Sequence, residues 1–150
     1  MNNLKPGRDI FFLISNDANH YGEDFNNRPY GLDEEAHKFA VDNDKRIAEE
    51  TFNGLISEEK IKNFSFELWP EAGVNKNCPL WCGRYPIVLG LLTVYKIADE
   101  TGKELVGNVF KYSDTWTEGV LPFRESKMGT TAPFSLKHWV GFLSAGFYME

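Results

Sequence analysis

Between Pro86 and Ala98 the chain carries Ile87, Val88, Leu89, Leu91, Leu92, Val94, Tyr95, Ile97 and Ala98. A proline is tolerated in the first turn of a helix and Gly102 follows the segment, so the spacing predicts a helix here. A helix that is apolar nearly all round offers no face to water and must be covered on most sides. Other segments have to supply that cover. Asp9 to Ser15 contains the continuous run Ile10-Phe11-Phe12-Leu13-Ile14, which suits a strand buried on both faces. Asp33 reads as a helix N-cap with Glu34 and Glu35 in the first turn, and a helix follows to about Asn53. Ala36, Phe39, Ala40, Asn43 and Ile47 fall on one face of it, and Lys38, Asp42, Lys45 and Glu49 on the other.

Ser57 caps a short second helix through about Ile61. Pro70 to Pro79 is loop by composition, and Thr115 to Pro133 is irregular. Leu105 to Ser113 alternates Leu105, Gly107, Val109 and Lys111 against Val106, Asn108, Phe110 and Tyr112, as a strand does. His138 to Met149 reads as a last strand buried on both sides. The order of strand, helix, short helix, long helix, strand and strand predicts a single α/β domain over residues 1–150.

Aromatic residues make up 15% of the chain, with twelve Phe and four Trp, so ring packing should dominate burial. A formal charge of −6 with no basic stripe excludes a nucleic-acid surface, because phosphate binding needs clustered Lys and Arg. No stretch approaches the length of apolar sequence that spans a bilayer. Cys78 and Cys82 form neither a disulfide framework nor, without a second pair, a structural zinc site. A reducing, cytoplasmic location is the expectation.

Two short motifs carry chemistry. Asn16-Asp17-Ala18-Asn19-His20-Tyr21-Gly22 follows the apolar run. A carboxylate and an imidazole three residues apart converge if the backbone turns between them. They then ligate a metal or act as an acid–base pair, so Asp17 and His20 are the candidate catalytic residues. The competing account is an Asp17 that organises its own turn and a His20 satisfied by backbone. Trp81-Cys82-Gly83-Arg84-Tyr85-Pro86 enters the apolar helix. A thiol at a helix start beside Arg84 is favoured as thiolate, the form that binds metals, which makes Cys82 more reactive than Cys78. Here the competing account is a buried structural cysteine. His37 reads as a surface residue of the first helix, and His138 as packed or hydrogen-bonded at the start of the last strand.

In order, these motifs resemble the MEMO family. Ser15-Asn16-Asp17-Ala18-Asn19-His20-Tyr21-Gly22 is similar to its Ser-Ser-Asp-x-x-His-Trp/Tyr-Gly. Cys82-Gly83-Arg84-Tyr85-Pro86-Ile87 is similar to its Cys-Gly-Arg-x-Pro-Ile, and His138-Trp139-Val140-Gly141-Phe142 with Ala145-Gly146 to its terminal strand. The resemblance implies the C-terminal half of a fold like that of the class III extradiol dioxygenases, with a mostly parallel sheet flanked by helices. It implies a mononuclear iron or copper site with His20 and Cys82 as metal ligands and Asp17 beside the metal. It also implies a metal-dependent redox enzyme of the AmmeMemoRadiSam system protein B type, with AMMECR1-type and radical-SAM proteins as partners. Family members are longer, and two further metal-site histidines lie in the half that this sequence does not contain. The alternative function is a non-catalytic binding module for a peptide or small ligand. Apolar faces left bare by the missing half would favour self-association.

Overall fold

A computed structural model describes residues 11–69, 79–118 and 134–150. The elements in order are β1 (His20–Gly22), α1 (Glu34–Phe52), β2 (Gly54–Leu55), α2 (Glu58–Leu68), α3 (Arg84–Glu100), β3 (Leu105–Asp114), α4 (Thr115–Glu118) and β4 (His138–Met149). The four strands make one sheet in the order β1-β4-β3-β2, and every pairing is antiparallel. The expected mostly parallel sheet is therefore wrong. Parallel neighbours need a crossover for each pair, whereas β3 and β4 pair side by side over nearly their whole length, from Leu105 opposite Met149 to Asp114 opposite Gly141.

The first expected strand is also absent. Residues 11–17 have no regular secondary structure, and Phe11, Phe12 and Leu13 stand exposed. Asp9 and Ile10 lie outside the described residues. The strand that does form there is β1, which belongs to the motif segment and pairs His20 with Val140 and Gly22 with His138.

Local chemistry explains the helix starts. The Asp33 carboxylate accepts from Ala36 N at 2.8 Å, and Ser57 Oγ accepts from Lys60 N at 3.2 Å. From its cap α2 runs to Leu68, well past the expected end near Ile61. The helices pack on one face of the sheet, with α1 and α3 against β3 and α2 bridging α1 to α3. Ile47, Phe52, Ile61, Phe64, Leu68, Trp81, Leu91 and Leu105 form the main buried cluster. Its aromatic spine runs Phe147 to Phe52 to Phe64 to Trp81, with each ring contact at 5.3–5.9 Å between centroids.

Burial on β4 has period two rather than the two-sided cover expected of it. Leu143, Ala145, Phe147 and Met149 pack toward the helices, while Phe142 and Tyr148 on the other face are exposed. An antiparallel sheet can leave one face to water, which a parallel one seldom does. On β3 the alternation breaks at a bulge between Val109 and Lys111. The side chain of Asn53 meets the disturbed ladder there, accepting from Val109 N at 2.7 Å. One extra residue inverts the faces downstream, so Tyr112 and Asp114 turn inward. The sequence pattern had placed Tyr112 with Phe110, and Phe110 is exposed.

The apolar helix is less covered than its composition demands. Leu91 and Ala98 are its buried residues, and Tyr85 and Leu89 are exposed. On α1, Phe39 was assigned to the core face but is 60% exposed, whereas Phe64 on α2 is 1% exposed. Phe64→Ala should therefore cost about 3–5 kcal/mol in urea unfolding, and Phe39→Ala less than about 1 kcal/mol. Equal losses from the two variants would refute this assignment of helix faces.

Candidate metal centre

The two motifs meet at one edge of the helix layer because their backbones bond to each other. Cys82 N donates to Ala18 O at 3.3 Å, Gly83 N to Asp17 O at 3.2 Å, and His20 N to Leu80 O at 2.9 Å. On the opposite side Ala18 N donates to Gly141 O and Gly141 N to Asn19 O, each at 2.8 Å, which fixes the same segment to β4. The approach of the motifs is close enough to demand glycine at position 83. A Cβ there would sit 1.3 Å from Asn16 Oδ1 and 2.9 Å from Asp17 O. Asn16 Oδ1 is buried against this glycine without a hydrogen-bond partner.

This stitching brings Asp17, His20 and Cys82 together. One ligand atom from each lies within 4.8 Å of the other two, although 62 positions separate His20 from Cys82. His20 Nε2 and Asp17 Oδ2 are 3.2 Å apart. Two ligands about 2.1 Å from one ion at the tetrahedral angle stand roughly 3.4 Å apart, so the existing pair already has the spacing of co-ligands. The same separation is that of a hydrogen bond, so Asp17 can pair with the imidazole or share an ion with it. The His20 ring is held edge-on by Phe25 at 4.8 Å between centroids, and its carbonyl accepts from Asn27 Nδ2 at 2.7 Å.

Cys82 is exposed, which sets aside its reading as a buried structural cysteine. Its Sγ lies 3.7 Å from Asp17 O. Arg84 lays its guanidinium over the rings of Tyr85 and Trp69, at 5.1 and 5.7 Å. Cys78 lies outside the described residues.

The other histidines stand apart from this cluster. His138 Nδ1 is 2.8 Å from Asp24 Oδ2, the hydrogen-bonded role expected of it. His37 is not the surface residue its charged neighbours suggested. Its side chain is 14% exposed, 3.3 Å from the buried Asp114 and edge-on to Trp139 at 4.9 Å.

The residue that sequence reasoning missed is Asp44, fully buried in the middle of α1. Its carboxylate accepts from Trp81 Nε1 at 2.9 Å, from Asn19 Nδ2 at 3.4 Å and from Tyr112 OH at 2.6 Å. Asn19 precedes His20 and Trp81 precedes Cys82, so one buried group fastens both ligand-bearing segments from behind. Asn19 Oδ1 extends the network by accepting from Leu80 N at 3.2 Å and Asn27 Nδ2 at 3.0 Å. The signal was present in the sequence, since Asp44 lies on the stripe of Ala40, Ile47, Ala48 and Thr51.

A scan against family models found no match, and comparisons with curated proteins and with solved structures found none either. The likeness to the MEMO family therefore rests on the motifs themselves. Among the described residues, no helix is long and apolar enough to cross a membrane.

Burial pushes Asp44 from its usual 3.8 up to about 7, against the three hydrogen bonds that favour its ionised form. Between those values the folded chain keeps a proton that the unfolded chain has released, so stability falls as pH rises through this window. The slope is about 1.4 kcal/mol per pH unit, or roughly 4 kcal/mol across it, and the loss is complete above pH 7. Asp44→Asn removes the titration. Urea unfolding of both proteins from pH 4.5 to 8 should show wild type losing stability relative to the variant by roughly 3 kcal/mol. A wild-type-minus-variant difference independent of pH would contradict this.

Proposed function

We propose that Asp17, His20 and Cys82 form a mononuclear site for iron or copper in a MEMO-like redox protein. The observation that carries this reading is the convergence of a carboxylate, an imidazole and a thiol from two segments far apart in sequence. A mixed O, N and S set suits a borderline-soft transition metal and poorly suits calcium or magnesium, which take oxygen ligands. Three protein ligands leave coordination positions for water or substrate, as catalytic sites do. The half-exposed Asp17 and exposed Cys82 leave the site open to solvent on that side.

A bound ion would supply Lewis acidity and, for iron or copper, electron transfer. The chain's own groups would bind and orient. His20 would present Nε2, its ring fixed by Phe25. Asp17 would either ligate or hold a proton at Oδ2, 3.2 Å from that nitrogen. Cys82 would contribute thiolate, releasing a proton on binding. Asp44 touches none of these ligand atoms and acts as a positioning residue through Asn19 and Trp81.

Anaerobic titration with Fe(II) and with Cu(I), read by equilibrium dialysis and elemental analysis, tests the proposal. One ion per chain is expected. His20→Ala and Cys82→Ser should each weaken binding by more than the 10- to 100-fold typical of losing a residue that only supports a ligand. Asp17→Asn should weaken it by at least about tenfold. Thermal melts of the metal-free variants establish that they fold. Folded variants that bind as tightly as wild type, or a wild type that binds neither ion, would overturn the assignment.

A further inference from the structure

Beneath the segment that leads into Asp17 lies a cavity of about 140 Å³. Its walls come from both helices and sheet: Phe52 of α1, Leu91 of α3, and Leu143, Ala145 and Phe147 of β4, with Trp81, the chain neighbour of Cys82. The Trp81 N–H is already committed to Asp44, so the ring presents carbon to the cavity. Asn16 and Asp17 are the lining residues with polar side chains. Asn16 Oδ1 is buried against Gly83, and Asp17 brings the charged group to the lining. Asp17 thus borders the cavity and belongs to the cluster with His20 and Cys82.

We propose that this cavity binds a small molecule with an apolar body the size of one ring or a short branched chain. A single neutral polar group on that body faces Asp17. The size follows from the volume, since an apolar cavity of about 150 Å³ accommodates benzene. The chemistry follows from the walls. The side chains on the lining are mostly apolar and stabilise a hydrocarbon body, while the polar groups among them fix orientation. The Asp17 carboxylate disfavours a carboxylate or phosphate at that end. It favours a hydroxyl, which can donate to it and whose oxygen then lies beside the ligand cluster. The substrate class of the proposed metal site is named on the strength of that reading, but the cavity makes its own claim on the apolar guest.

Benzyl alcohol and cyclohexylmethanol serve as probes, with naphthalenemethanol as an oversized control and benzoate as a charged one. Binding to the metal-free protein is followed by ligand-observed NMR and calorimetry. Saturable one-to-one binding of the two small alcohols is expected, with the oversized and charged controls at least about tenfold weaker. Ala145→Leu fills the cavity from β4 and should weaken the alcohols by about tenfold or more. Leu143→Trp fills it from a second position and decides the matter if the first variant melts early. Metal binding should survive both substitutions, since neither touches a ligand.

In protein loaded anaerobically with Fe(II), the hydroxymethyl protons of the probe should broaden more than the distal ring protons, which reports the polar end at the cluster. Failure of both alcohols to bind, or binding untouched by two folded cavity-filling variants, would overturn the inference whatever the metal result. Uniform or reversed broadening would overturn the orientation. Alcohol binding in a protein that takes up no metal would leave the cavity standing and remove the metal reading alone.

Discussion

One buried carboxylate connects most of this molecule. Asp44 sits on α1, receives Tyr112 from β3, Trp81 from the approach to α3 and Asn19 from the approach to β1. Each donor is itself substantially buried, so removing the acceptor would strand three polar hydrogens where water does not reach, at about 1–3 kcal/mol for each. No cation among the described residues hydrogen-bonds Asp44, so its burial is tolerated through those donors and a raised proton affinity. An apolar residue in its place would pack but would specify nothing about the two segments. The carboxylate selects the one arrangement in which Asn19 and Trp81 stand side by side.

That selection depends on the sheet. Without the bulge at Val109–Lys111, Tyr112 would lie on the face shared by Phe110 and would point to solvent. The parity change turns it inward within reach of α1. Asn53, at the end of α1, accepts from Val109 N at the bulge itself. Helix end, bulge and buried carboxylate are one assembly, and the ligand cluster lies on its outer side. Changes in the packing of β3 should therefore reach the cluster through Asp44, though β3 carries none of its ligands.

What the sequence made legible was mostly local. The caps Asp33 and Ser57, the long strands at Leu105 and His138, and the helix at Pro86 follow from short-range patterns that the structure reproduces with shifted ends. The convergence of Asp17, His20 and Cys82 was legible too, because two dense motifs each placed a ligand type at a turn. Strand direction was not, since pairing is decided by partners far along the chain and an apolar run such as Ile10–Ile14 looks alike whether it pairs or not. Tyr112 was misplaced because a bulge leaves alternation intact in sequence while reversing it in space. Asp44 was passed over because a charged residue in a helix is ordinarily solvated, and only its position on the apolar stripe said otherwise.

The open faces bear on how the site works. Phe142 and Tyr148 on the outer sheet, Leu89 on α3 and Phe12 and Leu13 ahead of the motif are all exposed. The strap at 11–17 forms no helix or strand, yet it covers the cavity and ends on Asp17. It is seated on α3 at Ile14, whose Cδ1 occupies the space left open by Gly90, and bonded at its far end, where Asp17 O and Ala18 O accept from Gly83 and Cys82 and where Ala18 N reaches β4. The ligand end of the strap is fixed by Gly83 and by the Asn19–Asp44 contact one residue beyond Ala18. Phe12 and Leu13 line the cavity while carrying none of the ligand atoms, so changes there alter what a guest meets and leave Asp17, His20 and Cys82 in their present geometry.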